Sequence, residues 1–179
     1  MKAFLDIETG GFSLSKNGVC EIAVVITDNS LVPVAEYQSL IKPYYRECGI
    51  ELVSYKDDAM GVNGISISDL ESKGLDICDV IGNVIDLLKN HNTEIIIGHN
   101  SSTFDIPRIK YLCSRFHTEK TFFDSIPLDD TMKIAKGFLR LPSYSLPNLC
   151  THYGIVNQKV HSALGDTYAT IEPYKRLIG

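Results

Sequence analysis

The sequence predicts an α/β domain in which a mixed β-sheet, three antiparallel N-terminal strands plus parallel strands, is flanked by α-helices. Two observations predict it. Three extended apolar runs follow one another at the start of the chain, and helical and strand-like segments alternate after them. Strands first and then alternating helix and strand describe a mixed sheet with helices packed on it. The 179 residues suffice for a single domain spanning 1–179, long enough to bury a core.

Each element has its own signal. Ala3 to Ile7 is a short apolar run that ends at Gly10 and Gly11, a strand with a turn behind it. Val19 to Thr27 is rich in Val and Ile, and Leu31 to Ile41 is again extended. Asp28, Asn29 and Ser30 between them are turn residues, so the three runs form an antiparallel meander. Asp79 to Leu88 carries Val80, Ile81, Val84, Ile85 and Leu88 at helical spacing, with Asp79 as the cap. Glu94 to Gly98 is a compact apolar run suited to a strand covered on both faces. A helix is expected from Phe104 to about Arg115, with Pro107 in its first turn, and a fifth strand at Thr121 to Asp124. Ser145 caps a short helix that stops at Gly154. The last helix runs from Ala163 to about Leu177, and Pro173 should kink it or end it early. The polar segment Tyr44 to Asp58 is expected to be a flexible loop.

Composition narrows the class. Hydrophobic residues make up 44% and charged residues 22%, ordinary for a soluble globular protein. No run approaches the roughly 18 apolar residues of a membrane span, and Asp6 and Glu8 stand where a signal peptide needs apolar residues. A cytoplasmic protein with no membrane partner is expected. Cys20, Cys48, Cys78, Cys113 and Cys150 include no Cys-x-x-Cys pair, which speaks against a zinc site or a disulfide scaffold; they read as buried small apolar side chains. The net charge of −5 disfavours a protein that binds an extended duplex through many phosphates. It weighs less against an enzyme that grips only a few terminal nucleotides and whose carboxylates bind cations.

Three segments carry chemistry. In Asp6-Ile-Glu8-Thr-Gly10 the two acids are two apart on a strand, so both side chains share a face. Their flanks, Phe4, Leu5 and Ile7, suggest a buried strand, and buried charges are normally paired or bound to metal. In Gly98-His99-Asn100-Ser-Ser-Thr-Phe104-Asp105, Asp105 falls where a strand gives way to a helix, the crevice in which open α/β sheets bind ligands. Taken alone, Asp105 is better explained as an acid favoured by the helix dipole. His99 and Asn100 serve either as substrate contacts or as braces of the loop. In His161-Ser-Ala-Leu-Gly-Asp166 the histidine and acid would stand roughly 140° apart on a continuous helix. They converge if Asp166 is on the helix and His161 in the loop entering it, where a histidine of near-neutral pKa suits a general base. Oxygen ligands without cysteine select Mg²⁺ or Mn²⁺. Two such cations about 4 Å apart clamp the attacking and leaving oxygens of a phosphodiester displacement. No serine nucleophile elbow or phosphate-binding loop is present.

In this order the three motifs resemble the DEDD 3′-to-5′ exonuclease superfamily, in its histidine branch, over nearly the whole chain. The other branch has a tyrosine four residues before the last aspartate, where this chain has Ser162. The resemblance implies a ribonuclease-H-like fold, Asp6, Glu8, Asp105 and Asp166 as ligands of two divalent cations, and His161 as general base. It also implies release of nucleoside 5′-monophosphates, with Thr9, Gly10 and Phe104 near the terminal nucleotide. Phe12 is open to two roles, stacking on a base or packing in the core. Met60-Gly-Val-Asn63-Gly-Ile-Ser resembles a segment in which family members often carry histidine at the position of Asn63. Asp130-Thr131 and Tyr144 to Leu149 resemble the stretch before the third motif, with capping and packing as their default role. Three residues separate Asn100 from Phe104 where many histidine-branch members have two, a spacing similar to that in replicative polymerases.

The expected function is therefore a metal-dependent exonuclease on single-stranded DNA or frayed 3′ ends, similar to the proofreading type of bacterial DNA polymerase III, with a DNA polymerase as a candidate partner. The alternatives are a 3′-to-5′ exoribonuclease on short RNA of the oligoribonuclease or ribonuclease T type, a metal phosphodiesterase on small nucleotides, and a catalytically silent nucleic-acid-binding module. The choice between DNA and RNA rests on contacts to the 2′-hydroxyl, for which no local motif exists.

Overall fold

The computed structural model describes residues 1–46, 49–156 and 162–179. Strands β1 (Lys2–Thr9), β2 (Val19–Thr27) and β3 (Pro33–Leu40) form the antiparallel meander. In register, Asp6 faces Ala23 and Glu8 faces Glu21. Strand β4 (Ile95–Gly98) lies parallel to β1 on its other side, and β5 (Leu128–Asp130) lies parallel to β4, giving the order β3-β2-β1-β4-β5. The fifth strand is thus not at Thr121 to Asp124. There Phe122–Asp124 winds into a 3₁₀ turn that sends Phe123 into the core.

Helices cover both faces of the sheet. The long central helices are α3 (Ile77–Asn90) and α4 (Asp105–Phe116), preceded by two short ones, α1 (Asp57–Asn63) and α2 (Ile67–Lys73). Three more follow: α5 (Thr131–Phe138), α6 (Leu146–His152) and α7 (Ala163–Ile178). The period-2 alternation of β1 divides its side chains between the faces. Ala3, Leu5 and Ile7 pack with Val80, Ile81 and Val84 of α3 and Ile109 of α4. Phe4 packs on the other face with Ile171 and Tyr174 of α7, its ring edge-on to Tyr174 at 5.5 Å. Each such large apolar side chain contributes roughly 1.5–3 kcal/mol on burial. All nine residues of β2 are buried because this strand lies between two others and beneath helices on either side. One consequence matters for function: Asp6 and Glu8 follow Phe4 on the face covered by α7.

Local details depart from expectation in four places. The cap of α3 is Asp76, whose carboxylate accepts a hydrogen bond from the Cys78 amide at 2.8 Å; Asp79 sits inside the first turn. The helix α7 continues past Pro173 to Ile178. Proline leaves the carbonyl four residues back without its helical donor, and the Cys150 thiol lies 3.7 Å from that Ala169 oxygen. Cys20, Cys113 and Cys150 are buried as expected, whereas Cys78 is exposed on α3; Cys48 lies outside the described residues. The stretch expected to be a loop ends in α1, which begins at Asp57 and has no buried residue. Among the described residues no helix is long and apolar enough to cross a membrane.

Candidate active site

The carboxyl ends of β1 and β4 and the first turns of α4 and α7 meet at one edge of the sheet. Oxygens of Asp6, Glu8 and Asp166 lie within 4.8 Å of one another. Asp105 opens α4 and is 3% exposed, its Oδ1 accepting the Ile7 amide of β1 at 3.1 Å. The four acids thus converge from three elements far apart in sequence.

Crowding changes their acidity. Burial, then the charges of Asp105, Glu8, Asp166 and Glu21, hold Asp6 well above the usual carboxylate range. Glu8 is pushed up to about 7 by burial and then by Asp166, Glu21 and Asp105. Burial raises Asp105 to about 7 despite the Ile7 amide, its own amide and the Arg108 charge. No ion pair among the described residues involves Asp6 or Glu8. A cluster of half-buried acids with only oxygen donors is what hard divalent cations require, and their charge removes the repulsion that raises these pKa values. The residues present therefore fit such cations.

The loop from His99 to Phe104 is built to aim Asp105. Its strand ends at Gly98, where a Cβ would stand 2.4 Å from Ser101 Cβ and 3.0 Å from the Leu5 carbonyl, so only glycine lets the loop tuck under β1. Asn100 takes a left-handed φ of 59°, a conformation asparagine tolerates better than most residues. Asp130, at the end of β5, fixes the loop: its carboxylate accepts the Asn100 and Ser102 amides at 2.9 and 3.1 Å, the Ser102 hydroxyl at 2.5 Å and the Met132 amide at 3.0 Å. His99 stands with Nδ1 2.9 Å from the Thr131 hydroxyl. Burial lowers its pKa, opposed by Asp130. The Asn100 side chain accepts from the Thr103 hydroxyl at 2.7 Å. Both residues thus have bracing contacts within the loop and its neighbour.

Beside Glu8 opens a cleft of about 410 Å³, lined among others by Ile7, Thr9, Phe12, Lys56, Val62 and Phe104. That volume is in the range of small-ligand sites. Gly10, between the lining residues Thr9 and Gly11, packs against Tyr55, since a Cβ there would meet Tyr55 Cδ1 at 2.5 Å. The Thr9 carbonyl accepts from the Asn63 side chain at 3.3 Å, joining the end of α1 to β1. Phe12 is 85% exposed and stands edge-on to Phe104 at 6.1 Å, so it forms a wall of the cleft and not part of the core.

Two residues without a sequence signal complete the arrangement. Arg108, one turn into α4, is 5% exposed and donates to the carbonyls of Phe104 at 2.9 Å and Phe12 at 2.5 Å. Glu21, buried on β2 opposite Glu8, accepts the Ala163 amide at 2.9 Å and the Gln38 amide group at 2.6 Å. It holds the first residue of α7, three residues before Asp166. Neither pairing has a local pattern, because the partners lie far apart in the chain. His161 lies outside the described residues.

Comparison with known proteins agrees with this architecture. Residues 3–174 match the RNase_T family, described as exonuclease. The chain is 32% identical over 177 residues to the PolC-type DNA polymerase III of Thermotoga petrophila, and 31% identical over 176 residues to that of Thermotoga maritima. Each alignment covers 97% of this chain but only 12% of the polymerase, so the chain spans a small part of these relatives. Among solved structures, the zinc-bound form of the E. coli ExoI–ssDNA complex aligns with a TM-score of 0.82 at 20% identity, over 97% of this chain and 39% of that one. E. coli exonuclease I in complex with a dT13 oligonucleotide aligns at 0.81 and 22% identity, over 98% of this chain and 40% of that one. These likenesses show a shared ribonuclease-H-like exonuclease fold, and with the family match over residues 3–174 the chain belongs to the exonuclease family of the DEDD superfamily.

Proposed function

We propose that the protein is a 3′-to-5′ exonuclease that removes nucleoside 5′-monophosphates from single-stranded or frayed DNA ends. The observation that carries the reading is the meeting of Asp6, Glu8 and Asp166 within 4.8 Å, with Asp105 tied to the same strand. Asp6, Glu8, Asp105 and Asp166 would hold two divalent cations, Mg²⁺ or Mn²⁺. When bound, such a pair polarises the phosphodiester, lowers the pKa of the attacking water and neutralises the leaving oxygen. The chain's own residues do the rest. His161, in the segment leading into α7, would accept the water's proton, which assigns the enzyme to the histidine branch. The backbone at Thr9 and Gly10 would hold the terminal sugar and phosphate. Phe12 and Phe104 would stack on the terminal base, an interaction tolerant of sequence because every base has a π-face. His99 and Asn100 would support the substrate side of their loop.

DNA is favoured as substrate because the PolC-type relatives are DNA polymerases and the exonuclease I structures hold DNA oligonucleotides. The same likeness supports a DNA polymerase as the partner that delivers ends. Incubation with 5′-labelled single-stranded DNA and matching RNA, with Mg²⁺, Mn²⁺ or EDTA, tests the reading against Asp6→Ala. A ladder shortening from the 3′ end, strongest on DNA and abolished by EDTA and by the substitution, is expected. A faster ladder on RNA would transfer the reading to the short-RNA enzymes, and no cleavage of either polymer would overturn it.

A further inference from the structure

A buried arginine normally faces a carboxylate, because removing its charge from water is costly. Arg108 makes no ion pair within 4 Å among the described residues, and it is nearly sealed from solvent. Its guanidinium instead spans two segments of chain. Nη1 donates to the Phe104 carbonyl on its own helix, and Nη2 to the Phe12 carbonyl in the loop after β1. Its Cζ also lies over the Phe104 ring, 3.7 Å from the centroid. One planar group therefore fixes the backbone of both aromatic walls of the cleft and the ring of one of them. A lysine offers a point charge and cannot bridge two carbonyls while stacking.

We propose that Arg108 is the positioning residue of an aromatic clamp, setting the separation of Phe12 and Phe104 and so the strength with which the enzyme holds its 3′-terminal base. The inference rests on the exonuclease reading above. Without the arginine the loop carrying Phe12 loses this tie to α4, and the exposed ring keeps its edge contact with Phe104. Arg108 also opposes the rise of the Asp105 pKa, so its loss has a smaller, general effect on the centre.

The test compares two single-stranded oligonucleotides, one ending in an ordinary nucleotide and one in an abasic residue, cleaved by the wild-type protein and by Arg108→Met, Arg108→Lys and Phe12→Ala. Wild-type kcat/KM should favour the base-bearing end by roughly tenfold, the worth of one stacked base. Arg108→Met and Arg108→Lys should reduce that preference to within about twofold, chiefly through KM, as should Phe12→Ala, and the double variant Arg108→Met/Phe12→Ala should lose no further preference. A preference retained in both arginine variants overturns the proposal, as does an equal loss on both oligonucleotides, which would make Arg108 a support of the fold alone. If Arg108→Met does not fold, Arg108→Lys decides by the same criterion. Absence of cleavage by the wild-type protein would instead sink the exonuclease reading, so the two failures are distinguishable.

Discussion

Asp6, within β1, and Asp130, at the end of β5, belong to the same sheet, yet the fold treats them oppositely. Burial alone pulls the Asp130 pKa up, but the Ser102 hydroxyl and the amides of Ser102, Asn100 and Lys133 together outweigh it and leave the acid below its usual range. Asp6 has no such set of donors and meets other carboxylates, so burial and repulsion both raise its pKa. The difference teaches that burial does not decide what an acid is for; the groups that face it do. An acid surrounded by N–H and O–H groups is a peg that ties a loop to a strand. An acid surrounded by acids is a seat for a cation.

The comparison predicts opposite responses to substitution. Asp6→Asn should lower cation-dependent turnover by roughly 10³-fold or more, while the cation-free protein melts higher because one repelling charge is gone. An unchanged rate would remove Asp6 from the centre. Asp130→Ala should do the reverse, costing about 2–4 kcal/mol in urea unfolding, from a lost helix cap and amides left without a partner. Its dependence on Mg²⁺ should persist, and a protein as stable as wild type would show that other contacts hold the loop.

A third expectation concerns pH. Glu8 is raised from 4.5 to about 7 on folding, and Asp105 from 3.8 to about 7. A raised acid favours the folded state while protonated, and that advantage fades as pH climbs through the folded value. In EDTA the melting temperature should therefore drop by several degrees between about pH 5 and pH 8, and Mg²⁺ should flatten the slope. A drop of equal size with and without Mg²⁺ would assign it to groups elsewhere. The smallest effect is expected at Glu21, which combines both settings: it has two donors and lies near the acids. Glu21→Gln keeps an oxygen for the Ala163 amide but removes a charge from the surroundings of the centre. Apparent Mg²⁺ affinity should weaken by about tenfold, read from a titration of activity or melting temperature. A loss like that of Asp6→Asn would make Glu21 a ligand in its own right.

The sequence revealed elements with strong internal patterns and hid those without them. The nine buried residues of β2 and the apolar stripe of α3 stand out because burial imposes a period. The helix α1 has no buried residue, hence no stripe to find, and β5 is only three residues long. Thr121 to Asp124 looked like a strand because aromatic residues suit strands, but a single ring entering the core sufficed to choose a turn. Asp79 stands just before Val80, where the regular spacing becomes visible, although Ile77 already belongs to the buried face. At the centre, Asp6 and Glu8 were legible because a spacing of two puts them on one side of a strand. Arg108 and Glu21 were not, because their partners are 96 and 142 residues away.

The centre is assembled from the first strand of the sheet and the last helix laid over it. A ribosome that has made Glu8 still needs on the order of ten seconds or more to reach Asp166. Throughout that interval the nascent chain carries first two and, once Asp105 is made, three of the four acids, with Asp166 still to come. Under the proposed mechanism hydrolytic competence is acquired only when α7 docks, and a stalled chain lacking that helix would leave the nucleic acid around it intact. On that reading the late position of Asp166 in the chain makes the docking of α7 its own safety catch.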